Sequence, residues 1–200
     1  MMKNKNMIAG VDYSLNSPAI CISNGNTSYK NCQFYYLTSK KKWEGKITNN
    51  ITGHLHKEWT DPIERFNNLA SWVHACLRNY GDISLYNSKT TKLFIEGYSY
   101  GSKGQALFQI AENGGILKSF LRAKKIKYDI IVPSVVKKCA TEKGNANKEL
   151  MYECFSNHTK TNLMKEFEVN KCVNPISDIV DSYYIMKCGH ESIKSKSKSS

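Results

Sequence analysis

The chain has 200 residues and a formal net charge of +12, from 29 Lys and Arg against 17 Asp and Glu. This length suits one domain, and so large a basic excess favours a polyanionic partner, nucleic acid ahead of an anionic membrane surface. No apolar run reaches the roughly 18 residues of a spanning helix. Met7–Val11 is too short for the core of a signal peptide, so we expect an intracellular protein.

The cysteine content points to a reducing compartment. Seven cysteines are present, an odd number without any Cys-x-x-Cys spacing. This pattern fits neither a disulfide framework nor a zinc ribbon. We therefore expect free thiols, several of them buried in the core.

The first 60 residues predict a meander of strands followed by a long loop. The predicted strands are Met7–Val11, Ala19–Ser23 and Tyr29–Leu37. Asn24-Gly25 is a hairpin turn signal between the second strand and the third. Residues 38–60 lose any periodic pattern, and with Trp43 and Trp59 expected at the surface they predict a long loop or an insertion.

Helices and strands alternate in the rest of the chain. Asp61 can cap a first helix, and Glu64 can close a capping box there. The elements expected after it are a strand at 92–96, a helix at 105–124 interrupted by Gly114-Gly115, a strand at 128–132, and helices at 134–139, 147–157 and 178–188. This order predicts one α/β domain over 1–190 with a mixed five-stranded sheet flanked by helices. The Lys- and Ser-rich segment 191–200 is predicted to be a disordered tail.

Four carboxylates lie beside apolar runs, where an ionised side chain is costly to bury without a partner. Asp12 and Glu96 each end a predicted strand, and ligand crevices of open α/β sheets lie at the carboxyl ends of strands. Asp178 and Asp181 are three residues apart and would share one face of a helix. The set predicts a shared pair of divalent cations acting on a phosphodiester.

Each acid also has an ordinary structural explanation. Asp12 can form an Asx-turn where the chain leaves its strand, and Glu96 can pair with a lysine at an exposed strand end. Asp178 and Asp181 can complement the helix macrodipole in a first turn. The combination of the four acids with the basic net charge favours the metal site.

Two other kinds of site find less support in the sequence. His54 and His56 have no third ligand at recognisable zinc spacing, and a solvated loop is the expected setting for both. There is no Gly-x-x-x-x-Gly-Lys-Ser/Thr loop, so a phosphate-cradling NTPase is not supported.

Tyrosines and lysines near the acids are candidates for contacts with nucleic acid. Tyrosines after Glu96 offer stacking faces to an unstacked base, although a tyrosine there can also cap the edge of the core. Lys148 begins a helix that Asn147 can cap, and such a helix start suits a phosphate as well as a plain surface loop. The candidate DNA-binding residues are Tyr98, Tyr100, Lys103, Lys138 and Lys143.

Five short motifs, in order, resemble those of the RuvC family of Holliday-junction resolvases, within the ribonuclease H-like superfamily. They are Gly10-Val11-Asp12-Tyr13-Ser14, Phe94-Ile95-Glu96, Pro133-Ser134-Val135-Val136-Lys137, Ala146-Asn147-Lys148-Glu149-Leu150-Met151 and Asp178-Ile179-Val180-Asp181-Ser182. The resemblance covers about Ile8 to Lys187 and implies that the four carboxylates hold two Mg²⁺ or Mn²⁺ ions. It also implies that Lys137 and Lys148 are the basic active-site residues.

The same resemblance implies a ribonuclease H-like fold and a homodimer that resolves four-way DNA junctions by paired nicks, without a membrane. Ser99 stands where the family has its junction-contacting aromatic residue, so Tyr98 and Tyr100 remain alternatives. The Lys- and Asn-rich composition looks more like a viral or phage member, acting in a bacterial host or an infected cell.

Two other functions are compatible with parts of the sequence. One is a catalytically silent DNA-binding module with the same fold, against which the intact acid set argues. The other is an actin-like ATPase, since Gly10–Ser14 is similar to the first phosphate motif of that family. A second phosphate loop of the Asp-Gly-Gly type is missing, and 200 residues are few for two such lobes.

Overall fold

One mixed sheet, with helices on both faces, organises the described part of the chain. A computed structural model describes residues 7–80, 91–98 and 105–196. The strands are β1 (Met7–Asp12), β2 (Ala19–Ser23), β3 (Cys32–Thr38), β4 (Gly45–Thr48), β5 (Ile51–Leu55), β6 (Thr91–Glu96) and β7 (Tyr128–Ile131). The helices are α1 (Pro62–Tyr80), α2 (Gln105–Ala123), α3 (Pro133–Thr141), α4 (Lys148–Thr159), α5 (Leu163–Glu166) and α6 (Ile176–Lys196).

The sheet has the strand order β4-β5-β3-β2-β1-β6-β7. β1 to β3 form the predicted antiparallel meander, while β6 and β7 extend the sheet in parallel from the other side of β1. The five predicted strands are all present, but the predicted total of five was wrong, because the described residues form a seven-stranded sheet.

The two additional strands come from residues 38–60, for which a long loop was predicted. β5 pairs in parallel with β3, and β4 pairs antiparallel with β5. Gly53 on β5 has no side chain, and Tyr36 and the carbonyl of Trp43 occupy the space that a Cβ would need. Trp43, which was predicted at the surface, is buried, whereas Trp59 is 42% exposed as predicted.

Close backbone contacts position α6 against the middle of the sheet. A Cβ on Gly10 of β1 would collide with the backbone of Ser182 and Met186 on α6. A Cβ on Gly189 of α6 would collide with the ring of Phe94 on β6. These two glycines let α6 lie directly on β1 and β6, so that the first turn of the helix reaches the carboxyl ends of both strands.

Several helices differ from their predicted limits. α2 continues through Gly114 and Gly115 without interruption. α6 begins before Asp178 and ends at Lys196, so the start predicted for the disordered tail, residue 191, was wrong, and 197–200 lie outside the described residues. In the part of the chain that the structure describes, no helix combines the length and the apolar character needed to cross a membrane.

One disulfide links two helices. Cys139 on α3 and Cys188 on α6 are bonded, with their Cα atoms 6.2 Å apart. The prediction of free thiols was therefore wrong for this pair, because two positions 49 residues apart are brought together only by the packing of α3 on α6. The cysteines that remain free are Cys21, Cys32, Cys76, Cys154 and Cys172.

Reducing this disulfide should lower the free energy of unfolding. The bond joins residues 49 positions apart, and the loss of loop entropy in the unfolded chain predicts roughly 3–4 kcal/mol of stabilisation. Urea unfolding with and without dithiothreitol measures it. Cys139→Ser should reproduce the loss and remove the effect of reductant, whereas Cys154→Ser, which removes a free thiol, should keep that effect. An unaltered protein that is insensitive to reductant would contradict the bond.

Candidate active site

Two parallel neighbouring strands deliver the first two acids to one edge of the sheet. Val11 of β1 lies opposite Ile95 of β6, so the next residue of each strand, Asp12 and Glu96, lies at the same end. Asp12 is buried and Glu96 is half-buried. Since parallel neighbouring strands end at a common edge, the pairing of β1 with β6 places these two carboxylates side by side.

The first turns of α6 bring the other two acids to the same place. Asp178 is buried and Asp181 is half-buried, and both lie N-terminal to the residues that contact Gly10. The prediction that Asp178 and Asp181 lie one turn apart on a helix is confirmed. Their charges reach Asp12, because all three other acids raise its pKa.

Burial raises the pKa of every one of these carboxyl groups, and repulsion by neighbouring acids adds to it for Asp12, Glu96 and Asp181. Burial is the largest cause for Asp12, whose pKa lies well above the ordinary value, followed by the charges of Asp178, Glu96 and Asp181. Burial, followed by the charge of Asp181, raises the pKa of Glu96 to about 7. Burial, followed by the charge of Asp178, raises the pKa of Asp181 to about 7. The four groups form a cluster whose negative charge is only partly compensated.

Asp12 and Asp178 share a hydrogen bond. The bond raises the pKa of Asp12 and lowers that of Asp178. Burial nevertheless keeps the pKa of Asp178 above its ordinary value. Its Oδ2 atom is buried and has no hydrogen-bond partner among the described residues. An orphaned carboxylate oxygen in a buried cluster is costly unless a cation reaches it.

Two lysines approach the cluster from separate helices. Lys137 on α3 lowers the pKa of Glu96 and of Asp181. Lys148 begins α4 and lowers the pKa of Asp178 and of Asp181. The helix start predicted around Lys148 is confirmed, because the side chain of Asn147 caps α4 by accepting a hydrogen bond of 2.9 Å from the backbone N–H of Leu150.

A polar network that the sequence did not reveal connects these groups. Asn174 Nδ2 donates to Ser17 Oγ at 2.6 Å, and the side chain of Ser17 hydrogen-bonds Asp178. The Oδ1 atom of Asn174 accepts hydrogen bonds from Ser177 Oγ at 2.8 Å and from Lys148 Nζ at 3.2 Å. Asn174 thus fixes one carboxylate and one ammonium group relative to each other.

The sequence carried only a weak signal for this network. Asn174 and Ser177 flank the apolar pair Pro175-Ile176 just before the second acidic motif, a place where polar residues have no obvious packing role. Ser17 lies in the connection after β1 and gave no signal at all. Its contact with Asn174 spans 157 positions of the chain.

The candidate DNA-binding residues differ in their surroundings. Tyr98 is 41% exposed and rests on α2, where its hydroxyl donates to the carbonyl of Ala111 at 3.3 Å and accepts from Lys118 Nζ at 3.2 Å. The exposed candidates on α3 and in the loop after it are Lys138 and Lys143, while Tyr100 and Lys103 lie outside the described residues.

The histidines predicted in a solvated loop lie in different surroundings. His54 is part of β5, where its ring stacks on that of Tyr35 and its Nδ1 atom accepts a hydrogen bond of 2.9 Å from Trp72 Nε1. His56 hydrogen-bonds the carbonyl of Asn16 at 2.8 Å. The solvated-loop prediction was therefore wrong for His54, whereas His56 lies in the loop after β5 and is half-buried there.

The acid cluster fits a divalent cation by its chemistry. Carboxylate oxygens are the ligands that Mg²⁺ and Mn²⁺ prefer, and a cation would offset the mutual repulsion and reach the orphaned oxygen of Asp178. Within 7–80, 91–98 and 105–196, no group of three or more His, Cys, Asp or Glu side chains is already arranged to hold a metal ion. To hold a cation together, the carboxylates would have to turn toward a common point.

Sequence comparison and structure comparison give different results for this chain. Neither the protein-family models nor the curated protein sequences give a match. Solved structures, in contrast, do give matches. RuvC from Thermus thermophilus is similar over 96% of both chains, with 12% identity and a TM-score of 0.51.

Two further structures are similar over most of the chain. RuvC from T. thermophilus in complex with a Holliday junction substrate has 11% identity and a TM-score of 0.56, with 96% of each chain covered. The yeast mitochondrial Holliday junction resolvase Ydc2 has 12% identity and a TM-score of 0.53, covering 94% of this chain and 80% of that one. This protein therefore has the fold of the RuvC-like Holliday-junction resolvases.

Proposed function

We propose that this protein is a metal-dependent endonuclease of the ribonuclease H-like superfamily that cuts branched DNA, Holliday junctions above all. The observation that carries the proposal is the mutual electrostatic coupling of Asp12, Glu96, Asp178 and Asp181 at one edge of the sheet. Two independent observations support it, namely the RuvC-like fold and the net charge of +12.

The four carboxylates would hold two Mg²⁺ or Mn²⁺ ions. When bound, such ions supply a nucleophile by lowering the pKa of a water and neutralise charge on the phosphodiester. Lys137 and Lys148 are the residues of this chain that stabilise the additional negative charge on the phosphate as the bond breaks. Asn174 keeps Lys148 at the correct distance from the carboxylates through its hydrogen bond.

DNA backbones would lie across the basic surface around the acids. Lys138 and Lys143 are exposed near Lys137 in the chain, and Tyr98 presents a ring after Glu96. We choose branched DNA as the ligand because the similar T. thermophilus RuvC structure contains a Holliday junction substrate. Binding through phosphates predicts an affinity that falls steeply as the salt concentration rises.

A cleavage assay on a labelled four-way junction tests the proposal. With Mg²⁺ we expect paired nicks at symmetric positions, and with EDTA we expect none. A linear duplex of the same sequence is the matched substrate and should be cut far more slowly. Equal cutting of both substrates would show that the protein is a general nuclease and not a junction resolvase. Binding to the junction without any cutting in Mg²⁺ or Mn²⁺ would favour the catalytically silent module.

We also propose that two copies associate through the N-terminal part of α2. Phe108 is the most exposed of the large apolar side chains that the structure describes, at 69%, and Leu107 beside it is 40% exposed. Two adjacent exposed apolar side chains suit a contact with a second copy of the chain, and a two-fold protein suits a junction that is cut at two symmetric points.

Phe108→Glu should convert the dimer to a monomer. A charge buried in a dimer contact costs several kcal/mol, enough to raise the dissociation constant of the dimer by about 100-fold or more. Sedimentation velocity measures the change. Val135→Glu is the matched control, because Val135 is also exposed, at 54%, but lies on α3. If the control dissociates and Phe108→Glu does not, the dimer surface lies elsewhere.

A further inference from the structure

A cavity lies between the additional strand β5 and helix α1, on the face of the sheet opposite α6. Its volume is about 240 Å³, and the residues 54–59 after and within β5 form one wall while α1 forms the other. The cavity exists because residues 38–60 widen the sheet beyond the core strands, so that α1 packs along a broader surface than the meander alone provides.

Aromatic rings line this cavity and are held in place by their neighbours. The ring of His54 stacks on that of Tyr35, with centroids 5.8 Å apart and an interplanar angle of 11°. Its Nδ1 atom accepts the hydrogen bond of Trp72 Nε1 at 2.9 Å. Trp59 is 42% exposed at the rim and meets the edge of His56 at 6.0 Å. These contacts hold the rings in a largely preorganised aromatic wall.

Two cations accompany the rings. Lys57 lines the cavity and is exposed, and the guanidinium of Arg65 lies over the ring of Trp59 at 4.8 Å. One end of Arg65 is tied down, because its terminal nitrogen donates to the carbonyl of Leu15 at 2.7 Å and to Asn16 Oδ1 at 2.8 Å. The Nε atom of Arg65 is buried and has no hydrogen-bond partner among the described residues.

Hydrogen bonds join the cavity wall to the connection between β1 and β2, which follows Asp12. Asn16 lies between β1, which ends at Asp12, and β2. Its backbone carbonyl hydrogen-bonds His56 Nε2 at 2.8 Å, and its side chain accepts from Arg65. Burial lowers the pKa of His54 and of His56, so both rings are neutral at pH 7 and the positive charge beside the cavity comes from Lys57 and Arg65.

We propose that this cavity binds an unpaired nucleobase of a DNA strand, with Trp59 as the exposed stacking surface and Lys57 and Arg65 beside the flanking phosphates. A nucleotide joins a planar, apolar-faced ring to an anion, which is the combination that aromatic rings next to cations recognise. The volume is smaller than the roughly 300–1,000 Å³ of pockets for drug-sized ligands and suits one base. The proposal rests on the proposed function only in taking DNA as the ligand.

Tryptophan fluorescence tests the proposal, because two of the three tryptophans line the cavity and the third, Trp43, is buried in the core. The unaltered protein is titrated in EDTA with single-stranded oligothymidylate of about ten nucleotides, a length within the usual site sizes. The matched probe is an abasic oligonucleotide of the same length and charge. We expect quenching by oligothymidylate and little or none by the abasic strand. Equal quenching by both would show that the cavity contacts only the phosphates and would overturn the proposal.

A pair of variants locates the contact. Trp59→Ala should raise the Kd for oligothymidylate roughly 5- to 100-fold, the usual loss for one stacked base, and should leave the weaker binding of the abasic strand unchanged. Ile63→Ala removes another exposed apolar side chain, at the start of α1, and should change neither. If Trp59→Ala binds oligothymidylate as tightly as the unaltered protein does, the base lies elsewhere. If that variant does not fold, the comparison of the two probes on the unaltered protein decides.

Failure here is distinguishable from failure of the proposed function. Chelation prevents cleavage during the titration, so the fluorescence result is independent of the acid cluster. Junction cleavage without base-dependent quenching would refute the cavity and keep the endonuclease. Base-dependent quenching without junction cleavage would keep the cavity as a single-strand site and refute the endonuclease.

Discussion

Asp12→Asn is expected to lower the rate of junction cleavage by on the order of 10³-fold, equivalent to about 4 kcal/mol of transition-state stabilisation. Asp12 is the most deeply surrounded of the four acids, since the charges of Asp178, Glu96 and Asp181 all act on it. The amide keeps the size of the side chain and removes the charge that a divalent cation needs. Single-turnover cleavage of a labelled four-way junction in Mg²⁺ measures the effect.

The matched control is Asp129→Asn. Asp129 lies on β7, the strand next to β6, and its side chain is exposed. This variant removes one negative charge from the same sheet without touching the acid cluster, so its cleavage rate should stay within about twofold of the unaltered protein, as for an ordinary surface substitution. Asp12→Asn should still bind the junction, because neutralising a carboxylate weakens no phosphate contact. Equal cleavage by Asp12→Asn and the unaltered protein would reject the acid cluster as the active site.

Asp181→Asn should stabilise the metal-free protein at pH 8 by about 2–3 kcal/mol. Burial and the charge of Asp178 raise the pKa of Asp181 from 3.8 to about 7. Because the folded-state pKa is raised, the native state holds a proton that the unfolded chain loses, so the stability from this proton is complete below pH 4 and disappears as the pH rises through about 7. The full shift corresponds to about 4 kcal/mol, which half-burial and sharing of charge reduce.

Urea unfolding in EDTA at pH 5 and pH 8 measures this effect. The unaltered protein should be more stable at pH 5, and Asp181→Asn should reduce the difference between the two pH values. Asp129→Asn, on the exposed face of β7, should leave the difference unchanged. A pH dependence of Asp181→Asn as large as that of the unaltered protein would show that Asp181 carries no unfavourable charge in the folded state.

Adding Mg²⁺ to the same experiment reports on metal binding without any cleavage. A cation bound only to the folded state, at a concentration about 100 times its Kd, adds about 2.7 kcal/mol. We expect this gain at pH 8, where the carboxylates are ionised, and a smaller one at pH 5. Asp181→Asn should lose most of it. No gain at pH 8 in the unaltered protein would argue against a cation among these acids.

The amino-acid sequence determined the elements that carry the candidate site. A strand of apolar residues ending in Asp12, another ending in Glu96, and a helix with Asp178 and Asp181 one turn apart are local patterns, and all three elements are present, although the helix continues to Lys196. The meeting of Asp12 and Glu96 required more than these local patterns, because it depends on the parallel pairing of β1 with β6, in which Met7 lies opposite Thr91, 84 positions away. Local periodicity is enough where neighbours in sequence decide the structure.

Only the tertiary structure decided the features that depend on distant contacts. β4 and β5 are short and contain glycine, so their own periodicity is weak; β5 gains stability from pairing with β3, and β4 gains it from pairing with β5. The bond between Cys139 and Cys188 and the contact of Asn174 with Ser17 join positions 49 and 157 residues apart. The cavity at Trp59 exists only because β5 and α1 pack side by side. No short segment of sequence reveals contacts of this kind, because the residues meet only when the sheet and its helices have assembled.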